Sequence, residues 1–255
     1  MLIDTHCHFD FKPFSLDYEK YYNNLKSEGV NKIIVPSVGP SNWDTVVYLS
    51  NRFPDIFFQL GIHPCYVSSL SKQDLEAFEY YVKKHISNPK FFGIGEIGLD
   101  FFKQNNKTKQ IDFLNFQLQI AIKYSLNIVL HSRKAHNELV QLLKQKKQKI
   151  SGIIHAFTGS LHQAQEFIDL GLKIGVGGVI TYERAKKTRE TIRSIPLSSL
   201  VLETDSPFMP IFGEQGKANT PENIKKILDE ICLLRNESEE EITSQILKNT
   251  LSLIT

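Results

Sequence analysis

Cysteine is scarce in this 255-residue chain. There are three, Cys7, Cys65 and Cys232, an odd number with no C-x-x-C pair. Both a disulfide-stapled scaffold and a thiolate zinc knot need paired or closely spaced thiols, so neither is expected. No apolar run approaches the ~20 residues that cross a bilayer. Asp4, His6 and His8 stand near the N-terminus, where a secretory leader needs a basic start and an apolar stretch of at least ~7 residues. The expectation is a cytoplasmic protein beginning at Met1, with no membrane partner and no obligate protein partner. Neither sign of charge dominates, since 30 basic and 28 acidic residues leave a net charge of +2. That excludes only a strongly polarised chain. Linkers, low-complexity blocks and internal repeats are also missing, and with 41% hydrophobic and 23% charged residues the chain reads as one globular domain over 1–255.

What is present is an alternation. Short β-branched runs occupy residues 2–6, 32–36, 56–63, 91–98, 127–133, 151–157, 172–178 and 200–207, each ending in Gly, Pro or polar residues. Amphipathic stretches lie between them. Residues 16–29 end on Gly29, a natural C-cap, and residues 71–85 begin on Ser71, a possible N-cap. Residues 108–125 and 161–171 carry apolar side chains at three-to-four spacing. Residues 221–254 read as two closing helices, the second with its acids at the N-terminus. Eight strands, each followed by a helix, in ~250 residues predict an α/β fold of the (β/α)8 TIM-barrel type, with a doubly wound open sheet, which usually has fewer strands, as the alternative.

Polar residues recur at the C-terminal ends of these strands, where barrel enzymes build their active sites. Residues two apart on a strand share a face, so His6 and His8 point together. Strand three ends on His63, strand four on Glu96, strand five on His131, strand six on His155 and strand eight on Asp205. Imidazoles and carboxylates of this kind are a metal-ligand set. Six of them, His6, His8, Glu96, His131, His155 and Asp205, exceed what one tetrahedral ion needs. The expectation is two divalent cations (Zn, Mn, Mg, Ni or Fe), with Glu96 bridging them. Paired ions acidify a shared water and hold both oxygens of an in-line displacement. Arg133 lies two residues beyond His131, on the same face. Arg133 is either a substrate contact or half of an ion pair with Glu203, and His63 is either structural or substrate-contacting. Thr5 and Glu203 are expected to orient ligands. His85, His136 and His162 fall in helix patterns and are expected to be solvated.

Two segments imitate other functions. "GIGEIG" at 93–98 matches G-x-G-x-x-G, but that fingerprint must open a helix and receive a phosphate, and "LDFFKQNN" is no helix start. The basic run "KQKKQK" at 144–149 fits a solvated helix end better than a nucleic-acid patch.

The segments "IDTHCHFD", "GIHP", "GEIGLDFF", "LHSRKAH", "HAFTGS" and "LETDSPF" together resemble the TatD family of metal-dependent hydrolases, from Leu2 to about Pro221. "THCHFDF", "KIGVGGVITY" and "PLSSLVLETDSP" look closest to its YjjV branch. The resemblance implies a two-metal hydrolase whose ligands map onto the same six residues. Members described as deoxyribonucleases often have Arg in a "GKRNEP"-like segment; here "QGKANTP" places Ala218 there, which removes one candidate phosphate contact. The expected reaction is metal-assisted cleavage of an ester, first of all a phosphodiester in a small molecule or nucleic acid. Asp205 would serve as general base and Glu96 as bridging catalytic carboxylate. An amidase or lactonase with the same activated water is the alternative reading, and a metal-stabilised binding scaffold the third.

Overall fold

The computed structural model describes residues 1–102, 106–146, 148 and 150–254. Its eight strands form one sheet in which every neighbouring pair is parallel and spatial order equals chain order. They are β1 (Leu2–Asp4), β2 (Val30–Val35), β3 (Ile56–Leu60), β4 (Phe91–Asp100), β5 (Asn127–Arg133), β6 (Gly152–Ile154), β7 (Leu172–Val176) and β8 (Leu200–Leu202). Helices follow them: α1 (Tyr18–Ser27), α2 (Trp43–Arg52), α3 (Lys72–His85), α4 (Lys107–Lys123), α5 (His136–Lys144), α6 (Leu161–Asp169), α7 (Lys186–Ser194), α8 (Ile224–Leu234) and α9 (Glu239–Leu251).

This is the expected (β/α)8 barrel, closed by a few bonds between the first and last strands. Thr5 N–H donates to the Leu202 carbonyl at 3.0 Å, Asp205 N–H to His6 at 2.9 Å, and His8 N–H to Ser206 at 2.8 Å. The Thr5 hydroxyl also donates to the Leu202 carbonyl, so the Thr5 side chain helps to seal the seam beside His6.

Two apolar layers hold the barrel. One face of the strands, including Ile33, Phe58, Leu130, Ile154 and Leu202, packs with helix residues in the main core. The other face fills the barrel with Ile34, Phe57, Phe92, Val129, Ile153 and Val201, and Leu253 packs against them from the C-terminal tail. Asn127 donates to the Leu253 carbonyl at 2.6 Å and anchors that tail beneath β5.

Local signals act as the sequence implies. Gly29 takes the left-handed conformation just past α1, and Ser71 and Ser238 make capping boxes with Asp74 and Glu241. The glycine-rich 93–98 segment is strand β4, not a phosphate loop. Lys144 ends α5 and pairs with Glu166 at 2.7 Å, and Lys146 donates to Asn115 at 2.7 Å. Lys147 and Lys149 lie outside the described residues.

Several strands stop earlier than expected. β3 ends at Leu60, β6 at Ile154 and β8 at Leu202, while β4 continues to Asp100. At these ends the backbone leaves the ladder and carries the polar residues into the mouth. Two histidines are less solvated than expected: His85 meets Phe58 edge-on, and His136 lies half-buried against Phe157 and Phe167. Amphipathic imidazole covers apolar surface at such sites. His162 is exposed, as expected.

Candidate metal centre

Glu96 stands at the centre of the barrel mouth, 2% exposed. Its amide donates to the Ser37 carbonyl at 3.0 Å, which fixes where the side chain starts. Gly61 is required alongside, because a Cβ there would come within 2.6 Å of the Gly95 carbonyl carbon.

The two carboxylate oxygens of Glu96 face different partners. Oε2 lies 3.3 Å from His6 Nε2 and 3.5 Å from His8 Nε2. Asp205 Oδ1 completes that group, 3.7 Å from His6 Nε2 and 3.5 Å from His8 Nε2. Oε1 lies 2.8 Å from His131 Nδ1, 2.8 Å from His155 Nε2 and 3.2 Å from His63 Nε2. All six expected ligands therefore come together, and His63 joins the Oε1 group.

The donor chemistry fits divalent cations. Two donors on one tetrahedral ion at ~2.1 Å lie about 3.4 Å apart, and the Oε2 group shows that spacing. His6 is fully buried, yet neither of its ring nitrogens has a hydrogen-bond partner. Such an arrangement costs about 1–3 kcal/mol per group unless something else satisfies it. Burial first, and then repulsion from His155, hold His6 well below its ordinary value, so the ring is the neutral, lone-pair-bearing ligand form. Burial alone would raise Glu96, but His63, His155 and His6 outweigh it and keep the carboxyl well below its usual range. Burial lifts Asp205 to about 6 against the pull of His155 and His8.

Residues behind the ligands set their orientation. His131 turns Nδ1 inward, with Nε2 3.4 Å from Asp100 Oδ2. Asp100, held down to about 2 by the hydrogen bond to His131 against the effect of burial, is missed by reading the strand only to Gly98. Its four-residue distance from Glu96 was the available signal, since even spacing on a strand shares a face. Glu203 is buried, accepts from Ala156 N–H at 2.5 Å and lies 3.7 Å from His155 Nδ1. Gly175 leaves room for it; a Cβ there would sit 2.3 Å from Glu203 Oε2. Glu203 is thus committed to His155 and Ala156, just past β6, and not to an ion pair with Arg133. Arg133 is exposed at the rim instead, its guanidinium 3.9 Å from the centroid of the Phe102 ring.

Helix α4 braces this side. Gln110 and Gln117 are seven residues apart, two turns on one face. The Gln110 side chain accepts from Asp100 N–H and donates to its carbonyl, and Gln117 does the same for Ile62 beside His63. On the opposite side Asp4 Oδ1 accepts from the amides of His6 and Thr204, tying the two seam strands together.

The mouth above the cluster is a cavity of about 320 Å³, with His63, Tyr66, Arg133, Phe11 and Phe208 among its walls. Among the described residues, no helix is long and apolar enough to cross a membrane.

The sequence profile of the family described as TatD related DNase matches residues 3–255. The chain is 42% identical over 252 residues to the uncharacterized metal-dependent hydrolase YjjV of Escherichia coli K12, covering 98% of this chain and 96% of that protein. It is 40% identical over 251 residues to an uncharacterized metal-dependent hydrolase of Haemophilus influenzae, covering 94% of each. The crystal structure of E. coli YjjV, described as a TatD homolog, superposes with a TM-score of 0.95 and covers 99% of this chain and 97% of that one. A TatD family hydrolase from Entamoeba histolytica, at 20% identity and a TM-score of 0.88, covers 99% of this chain and 97% of its own and shares the fold.

Proposed function

The chain belongs to the TatD-related family of metal-dependent hydrolases, and from that premise we infer that its mouth holds two divalent cations and hydrolyses a phosphodiester. The observation that carries this reading is the division of Glu96 between two imidazole groups. One cation would be held by His6, His8, Asp205 and Glu96 Oε2, the other by His131, His155 and Glu96 Oε1. Bound there, the cations supply Lewis acidity, lowering the pKa of a water and offsetting charge on the ester.

The side chains do the rest. Asp205 borders the cavity and accepts the proton of the attacking water as general base. Arg133, held on the Phe102 face at the rim, and His63 offer donors to the non-bridging oxygens of the transferring group. With Ala218 at the other candidate position, Arg133 is the phosphate contact this chain supplies. Asp100 and Glu203 orient His131 and His155. The whole chain, 1–255, acts as one barrel domain, and the family's description points to nucleic acid as the phosphodiester.

A panel of phosphodiester, carboxyl-ester, lactone and amide substrates, each with and without chelator, tests this. Chelator-sensitive cleavage of the phosphodiesters is expected. Chelator-sensitive cleavage confined to amides or lactones would replace the reading with the amidase or lactonase one. Asp205→Asn should abolish turnover with the fold intact, and unchanged turnover would remove Asp205 from the mechanism.

A further inference from the structure

Phe208 is a large apolar side chain left 47% exposed at the edge of a charged cavity. Its backbone is not loose. The Phe208 amide donates to the Asp205 carbonyl at 2.8 Å, three residues back. The fully buried Asn219 donates through its side chain to the carbonyls of Thr204 and Met209, at 2.9 and 3.2 Å, and through its amide to Pro207 at 2.9 Å. The segment that carries Phe208 is therefore strapped from behind, and the ring is displayed by a braced loop.

The ring also sits in an ordered group. Its centroid is 5.4 Å from His8 and 5.8 Å from Phe11, and Phe11 is 5.3 Å from His8. All three contacts are edge to face, so among the described residues no parallel ring covers Phe208 or Phe11. His8 belongs to the metal cluster, which places this aromatic wall directly beside the scissile position. The same cavity is also lined by Arg133, whose guanidinium rests on Phe102. Its lining thus offers both flat apolar surface and a positive charge.

We propose that Phe208, backed by Phe11, is a stacking wall for the nucleobase of a nucleotide whose phosphate lies at the metal cluster. It is a specificity-determining residue that makes the site prefer base-bearing phosphate esters to simple ones. The inference deepens the phosphodiesterase reading and rests on it for the position of the phosphate. Aromatic rings recognise bases in this sequence-tolerant way because every base presents a π-face.

The test is equilibrium binding to the full chain loaded with Mn²⁺, using two probes that share a phosphate and differ by the base: thymidine 5′-monophosphate and 2-deoxyribose 5-phosphate. The wild type should bind the nucleotide at least about tenfold more tightly. Phe208→Leu, which keeps apolar bulk and loses the flat face, should collapse that ratio toward one. Phe208→Trp should restore it. A thermal midpoint for each variant shows that it is folded, and the Trp variant keeps the test sharp if the Leu variant is not. Equal affinity of the wild type for both probes overturns the proposal, and so does a preference that survives Phe208→Leu. A preference present and dependent on Phe208, in a protein that cleaves no phosphodiester, supports the stacking wall and sinks the hydrolytic reading alone.

Discussion

The two ends of the barrel interior are built on the same strand faces and have opposite chemistry. Val129 and His131 are two residues apart on β5. Ile153 and His155 have the same relation at β6, Val201 and Glu203 at β8, and Phe57 and Gln59 on β3. In each pair the first residue joins the apolar plug over Leu253, and the second is a polar group nearer the mouth. One two-residue step, about 7 Å along a strand, separates a layer that stabilises from a layer that reacts. The upper layer contains buried nitrogens and oxygens with no hydrogen-bond partner among the described residues, including both ring nitrogens of His6. The fold tolerates them because the lower plug and the helix–strand core carry the stability.

Substitutions at the two ends should therefore fail in different ways. The largest effect belongs to Glu96→Gln. Loss of the shared charge should cut turnover by at least about 10³-fold, roughly 4 kcal/mol in the barrier, with lower metal stoichiometry by elemental analysis and an unchanged circular dichroism spectrum. Phe57→Ala at the opposite end should cost about 3–5 kcal/mol of stability in denaturant titration while each folded molecule keeps its turnover. If Phe57→Ala lowered specific activity as much as Glu96→Gln does, the two layers would not be separable. Asp100→Asn should weaken metal binding about 10–100-fold by loosening His131, read by competition with a chromogenic chelator; an unaltered affinity would show that the His131 ring needs no such brace.

The smallest effect is expected at Asp55, just ahead of β3. Its carboxylate lies 2.8 Å from Lys26 Nζ and accepts from the Tyr22 hydroxyl at 2.8 Å. Burial pushes Asp55 up, but the hydrogen bonds from Lys26 and Tyr22 and the charge of Lys26 together outweigh it, so its pKa falls below 3.8. A lowered carboxyl contributes stability above its unfolded value and loses it as pH drops through the folded one. Asp55→Asn should cost less than about 1 kcal/mol at pH 7, with the difference shrinking as pH falls below 3.8 and gone only below the still lower folded-state pKa. A difference that persisted in acid would point to packing in place of charge.

The strands were legible because each β-branched run is bounded by Gly, Pro or polar residues, and their number led to closure. Three helices had no pattern of their own and are implied only by the alternation. α2 contains the adjacent pair Val46 and Val47, which reads like strand, α5 is nine residues long, and α7 is so polar that buried Thr188 and Thr191 accompany Ile192 on its inner face. The six residues of the central cluster were legible because strand ends of a barrel share one mouth. Asp100 was not, since it lies past the glycines that seemed to end β4. The clasps made by Gln110 and Gln117 were hidden too, because glutamine on an amphipathic helix looks solvated until the partner backbone is in place.

The seam between β1 and β8 has one more effect. His6 and His8 enter with the first strand, and the Asp205 that faces them arrives about two hundred residues afterwards. A chain growing from its N-terminus can lay down seven strands and still have an incomplete cage. On the proposed reading, a metal held by His6, His8 and Asp205 would be bound only after the eighth strand is in place, and a product cut short before it would lack that part of the cluster.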